Sequence, residues 1–107
     1  MEQNKIQEMQ FFQENLNAVL MQKRAFQMEL NETISSLEEV EKSSEDIYKI
    51  VGELMLKVPK EKTVDELKNK EKILGIRLKK LEEQEEKLGF EVKKIREELI
   101  KNSKSKK

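Results

Sequence analysis

The stretch "IYKIVGELMLK", Ile47–Lys57, decides the fold. It is rich in β-branched and aromatic residues and pivots on a glycine, whereas the long segments on either side are dominated by Glu, Lys, Gln and Leu. With Gly52-Glu53 as a two-residue turn, glycine takes the first central position, where a type II′ hairpin turn requires positive φ. Val51 then opposes Leu54, Lys49 opposes Leu56 and Ile47 opposes Val58. That face is nearly all apolar, and the other, carrying Tyr48, Ile50 and Met55, is mostly apolar too. A lone two-stranded hairpin is marginal in water, and its open edges invite pairing with other chains. Two readings follow. The stretch is an apolar plug capping the adjoining helices, or it is an assembly element whose copies from several subunits join into a shared sheet or barrel. Only the second uses both faces and both edges.

The flanking arms read as helices. From Glu2 to Val40 one heptad column holds Met9, Leu16, Lys23, Leu30 and Leu37, and its companion holds Phe12, Val19, Phe26, Thr33 and Val40. Such a spacing, sustained without Pro or Gly, marks a coiled-coil seam. Ser43-Ser44-Glu45-Asp46 supplies the stop, because these side chains compete for backbone hydrogen bonds. Beyond Pro59, which cannot continue a strand, "TVDE" at Thr63–Glu66 has the form of a capping box. Leu67, Leu74, Leu81, Leu88 and Ile95 then repeat every seven residues, accompanied by Val64, Glu71, Leu78, Glu85, Val92 and Leu99. The expected elements are a helix over about 2–43, a hairpin over about 46–58, a helix over about 63–101 and a basic disordered tail at 102–107, all in one domain.

Equal arms around a short centre favour an antiparallel two-helix coiled coil folded back at Gly52. Residues 1–42 carry 4 basic and 8 acidic side chains, net −4; residues 60–107 carry 16 and 11, net +5. This complementarity selects partner and direction more than it adds stability. The fold-back brings Lys23 and Glu85, the charged members of their columns, to one level, either as a register-setting pair or as two side chains reaching out to water. Gly75 and Gly89 lie on one face of the second helix, where they either permit a close helix approach or are tolerated weak points.

Composition narrows the function classes. Charged residues make up 41% of the 107-residue chain, the 22 basic and 22 acidic side chains cancel, and only 36% is apolar. Without a clustered basic excess, nucleic acid is not an expected partner. The chain has no Cys and no His, which removes disulfides, thiolate chemistry and the commonest general base and metal ligand. Carboxylates are abundant but fall on solvated helix faces, as at Glu82-Glu83 and Glu85-Glu86, so neither an enzyme nor a cofactor is expected. "MEQNKIQEMQ" has no apolar core of a signal peptide and no run approaches the roughly 20 apolar residues of a membrane span. A soluble cytoplasmic protein is expected.

The pattern of helix, one hairpin and helix, with "IYKIVGELMLK" at its centre around Tyr48, Lys49, Val51 and Gly52 and "LGIRLKKLEEQEEKL" at Leu74–Leu88, resembles the prefoldin family and, within it, the β-type subunits. The α-type subunits carry two hairpins, and this chain has room for one. The resemblance implies a hetero-hexamer of two α-type and four β-type subunits. Their hairpins would form a double β-barrel, from which coiled-coil arms project, capture unfolded client proteins at the tips without ATP and pass them to a group II chaperonin. The assembly residues would be Ile47, Tyr48, Ile50, Val51, Gly52, Leu54, Met55, Leu56 and Val58.

The tips are built from both chain ends: Met1, Ile6, Met9, Phe11 and Phe12 from the first arm, Ile95, Leu99 and Ile100 from the second. Met9, Phe12, Ile95 and Leu99 sit on the seam stripes and either finish the coiled coil or meet clients. Phe11 and Ile100 fall just outside the stripes, which favours client contact. Phe90 also lies off the seam, farther from the end. The tail "KNSKSKK" has no apolar anchor and reads as a solubilising segment or an electrostatic dock for an acidic chaperonin surface; aromatic interleaving for RNA is lacking. A plain coiled-coil scaffold or dimerisation module is the rival reading.

Overall fold

In the computed structural model, which describes residues 2–105, the chain runs helix, strand, strand, helix: α1 Glu2–Lys42, β1 Ile47–Val51, β2 Leu54–Val58 and α2 Lys60–Ser105. Met1, Lys106 and Lys107, assigned above to a tip and to the tail, lie outside the described residues. The chain divides into two compact units. One pairs α1 up to Ala25 with α2 from Leu78 onward, and the other comprises Phe26–Arg77.

In the first unit the N-terminal part of α1 and the C-terminal part of α2 run antiparallel. Lys5 Nζ lies 2.6 Å from Glu98 Oε2 and Lys23 Nζ lies 2.8 Å from Glu85 Oε2, so rising numbers on α1 meet falling ones on α2. Val19, Leu78, Leu81, Val92 and Ile95 are buried between them, each a member of the expected heptad columns. Two helices shield only a narrow strip, so few side chains are fully enclosed.

The second unit holds the rest of both helices and the hairpin. Glu29 pairs with Lys70 at 3.3 Å and the Arg77 guanidinium sits 5.9 Å from the Phe26 ring centroid, again in antiparallel sense. Leu74 is buried, and so is Thr33, whose hydroxyl donates to the Glu29 carbonyl at 2.8 Å. That back-bond inside the helix lets a hydroxyl occupy a seam position without an unsatisfied group. The α1 stop is built from the expected residues: the Ser43 hydroxyl accepts the Glu45 N–H at 3.1 Å, which turns the chain towards β1.

The hairpin has the expected register, Val51 opposite Leu54, Lys49 opposite Leu56 and Ile47 opposite Val58. Gly52 has φ +62°, and no other described residue has positive φ. Positive φ at the first turn position and negative φ at Glu53 fit the II′ geometry, which matches the twist of the strands.

Three expectations need correction. Helix α2 starts at Lys60, not Thr63. The Thr63 N–H and hydroxyl both donate to the Pro59 carbonyl, at 3.1 and 3.2 Å, so Thr63 closes the first turn and the capping box does not form. Proline holds φ near its helical value and lacks an N–H that would go unpaired at a helix start. Glu61 adds an acidic side chain to that turn, where the helix dipole favours it. At the other end α2 continues through Ser105 instead of stopping at 101. Once nucleated, a helix extends at one hydrogen bond per residue, and nothing from Asn102 onward forbids it. Finally, a Cβ built on Gly75 or Gly89 meets nothing within 4 Å, so neither glycine serves a close helix approach.

Candidate functional site

Within the second unit the hairpin stands out by exposure. Ile50 is 72% exposed and Leu54 64%, and Tyr48, Val51, Met55 and Leu56 are also open to solvent. Strand alternation puts Tyr48, Ile50 and Met55 on one face and Val51, Leu54 and Leu56 on the other, so both faces are bare. Only Ile47 and Val58, at the foot of the strands, are half-buried. There a groove of about 370 Å³ is lined by Val40, Ile47, Val58, Pro59, Thr63 and Leu67, among others.

The backbone is equally open. The sheet has two strands, so each strand has a free edge. With Val51 and Leu54 flanking a two-residue turn as a hydrogen-bonded pair, Tyr48, Ile50, Met55 and Lys57 fall at the alternate positions and turn their N–H and C=O groups outward. One ion pair, Lys57 with Asp46 at 3.3 Å, lies on this border; both partners are exposed, so it adds little.

A contact not anticipated from sequence steadies the base of the hairpin. Lys60 Nζ donates to the carbonyls of Glu41 and Ser43 at 3.0 and 2.8 Å. These belong to the end of α1, where carbonyls lack helical partners and a cation is favoured by the dipole. A residue at the start of one helix thus caps the end of the other. The contact spans 17 and 19 residues of sequence, so no local pattern announces it.

The first unit carries the residues assigned to the tips. Phe11 is 61% exposed, Ile100 50%, and Ile6 is also exposed. Met9, Phe12 and Leu99 are half-buried, whereas Ile95 is buried. Phe11 and Phe12 meet edge to face, centroids 5.7 Å apart, so the seam ring of Phe12 fixes the off-seam ring of Phe11. Apolar side chains that sequence reasoning passed over, Met21, Met28, Ile73 and Ile76, are exposed along the helices; their positions outside both heptad columns were the available signal.

The two ion pairs of this unit shift their titrating groups. The hydrogen bond and charge of Glu85 hold the Lys23 ammonium above the usual lysine range, and those of Lys5 hold the Glu98 carboxyl below the usual glutamate range. With side chains about one third exposed at Lys23 and Glu85, the pair combines both sequence readings: it fixes a level of the seam and still reaches water. Among the described residues no group of His, Cys, Asp or Glu is arranged to hold a metal ion, and no helix is long and apolar enough to cross a membrane.

Comparison with known proteins fits this geometry. A family profile described as "Prefoldin subunit" matches residues 3–106. Prefoldin subunit beta of Pyrococcus furiosus is 43% identical over 76 residues, which is 69% of this chain and 65% of that protein. The Thermococcus onnurineus counterpart is 45% identical over 73 residues, 66% and 63% of the two chains. The matched stretch therefore spans a little under two thirds of these relatives' length. The crystal structure of the prefoldin beta subunit from Thermococcus strain KS-1 superposes with a TM-score of 0.84 at 36% identity, covering 92% of this chain and 88% of that one. From heptads, hairpin and homology together, the chain belongs to the prefoldin subunit family, and the members it matches are β subunits.

Proposed function

We propose that this chain is a subunit of an ATP-independent cytoplasmic chaperone. Four copies would join two α-type subunits in a hetero-hexamer, capture unfolded proteins at the coiled-coil ends and deliver them to a group II chaperonin. One observation carries the reading: a hairpin bare on both faces and both edges, in a chain of this family. Ile47, Tyr48, Ile50, Val51, Leu54, Met55, Leu56 and Val58 would be buried in a shared barrel, with Gly52 forming the turn. Each large apolar side chain so buried contributes on the order of 1.5–3 kcal/mol, and main-chain pairing along Tyr48, Ile50, Met55 and Lys57 removes the open edges.

Client capture would rest on Ile6, Phe11 and Ile100, with Met9, Phe12 and Leu99 joining as the ends fray. No single end offers enough apolar area to hold a chain, so several arms must act on one client through effective concentration. The test is to mix the chain with an α-type subunit, then measure assembly mass by light scattering and suppression of aggregation of a denatured protein. A defined hexamer that protects the client supports the proposal. A dimer indifferent to the α-type partner would leave a coiled-coil scaffold.

A further inference from the structure

Phe90 is 65% exposed on α2 and lies far from the hairpin in sequence. It sits in an open hollow lined by Glu83, Glu86, Lys87 and Glu91, all from α2 itself, so no part of α1 covers the ring. The residues in line with it, spaced alternately four and three apart, are Glu83, Lys87, Phe90, Lys94, Glu97 and Lys101. This spacing keeps all six on one helix face, and all six are exposed. Among the described residues none of them forms an ion pair within the chain.

The order of these residues is self-complementary. A second copy of the same face, reversed and centred between Phe90 and Lys94, sets Glu83 against Lys101, Lys87 against Glu97 and Phe90 against Lys94. The two-fold axis repeats each contact, giving four opposite-charge pairs and two cations over aromatic rings. No like charges meet along this line. A parallel copy in register would instead set every charge against its own kind.

We propose that this face of α2 is a contact surface for α2 of a second copy of the chain, laid antiparallel across it, with Phe90 as its apolar centre. The contact is isologous, held by screened charge pairs and by cation–π contact, which is strongest when the ring is desolvated. It is therefore weak and reversible, and because every α2 leaving one hairpin platform would run outward in the same sense, it links arms of separate assemblies rather than neighbours in one. It rests on the α2 surface alone and does not depend on the chaperone reading.

The chain has no cysteine, so introduced thiols report unambiguously. Full-length Glu83→Cys and Lys101→Cys chains are treated with a short bis-maleimide separately and mixed. The same is done in the background of Ile50→Asp with Leu56→Asp, which silences the hairpin. The mixed product is expected in several-fold excess over either self-linked product in both backgrounds. Raising the salt or replacing Phe90 by Ala should cut its yield several-fold. Lys87→Glu should do the same, and adding Glu97→Lys should restore it. Equal self-linked and mixed yields, indifference to Phe90→Ala, or a double reversal no better than the single one would overturn the proposal.

Discussion

Replacing Gly75 and Gly89 by alanine tests the packing description most directly, because the structure fixes the sign of the effect. Neither glycine has positive φ, and a methyl group at either meets nothing within 4 Å. Each costs about 0.5–1 kcal/mol relative to alanine inside a helix, chiefly through the freedom it leaves the unfolded chain. With no packing to lose, each substitution should return that amount. The two sites lie well apart on α2 with no neighbour in common, so their effects should add, giving about 1–2 kcal/mol for the double variant. At about 4–8 °C per kcal/mol in a domain of this size, melting should rise by roughly 4–16 °C.

The assay is thermal melting of the full chain by far-UV circular dichroism at fixed concentration, since association shifts Tm. Repeating it in the hairpin-silenced background of Ile50→Asp with Leu56→Asp removes that contribution. Gly52→Ala is the internal control with opposite sign. Gly52 also has open space around a built Cβ, but its φ of +62° is a conformation that costs an alanine roughly 1–2 kcal/mol. A lower Tm for Gly75→Ala or Gly89→Ala in the silenced background would refute the reasoning, because the helices would then approach at those positions more closely than the structure has them.

Other outcomes follow from the same geometry. Ile50→Asp with Leu56→Asp should leave helicity largely intact but abolish the higher-order species formed with an α-type subunit, because a shared barrel would bury unpaired carboxylates; unchanged mass by light scattering would remove the hairpin from assembly. Ile6→Ser, Phe11→Ser and Ile100→Ser together should leave assembly mass unchanged and sharply reduce protection of a denatured client, and protection by the parent should persist at high salt because apolar burial is not screened; equal protection by the triple variant would move the client site elsewhere. Glu98, whose carboxyl is held low by Lys5, contributes stability that is present above the ordinary glutamate pKa of about 4.3 and is lost as pH falls through its depressed value. Lys23, held high by Glu85, contributes stability that is complete below about 10.4 and is lost as pH rises through its elevated value. Melting curves from pH 3 to 7 for Lys5→Met, and from pH 8 to 11 for Glu85→Gln, should each lose that dependence; slopes identical to the parent would sink the assignments.

What the sequence discloses and what it withholds divide along physical lines. Heptad columns report burial directly, since a seam position is apolar because water is excluded there, and Val19, Leu74, Leu78, Leu81, Val92 and Ile95 are all buried as the spacing requires. The hairpin register was legible because a two-residue turn with glycine first leaves one pairing, and a slip by one residue would exchange the two faces. The start of α2 was not, because two signals competed. Thr63 and Glu66 have the pattern of a cap, but Pro59 already holds a helix-ready φ and its carbonyl takes both donors of Thr63. Nor was Lys60, whose bonds to Glu41 and Ser43 depend on the fold being formed.

The ends show where periodicity stops being informative about function. Ile95 and Ile100 are the same residue five positions apart, yet one is buried and the other half exposed, because five residues turn a helix by well over a full revolution to a different face. Periodicity therefore identifies Ile95 as structural and leaves Ile100, Phe11 and Phe90 as residues the two-helix seam does not use. For the hairpin, two bare faces and two free edges suit a cover made of other strands. Phe11 and Ile100, near the open ends of both helices, have no such geometric constraint, which suits a surface meeting many different sequences. Phe90 differs from both, because the charges in line with it prescribe one matching surface. Off-seam apolar residues in this chain thus separate by what surrounds them: unpaired backbone calls for assembly, fraying helix ends suit promiscuous contact, and a reversible charge order specifies a second copy of itself.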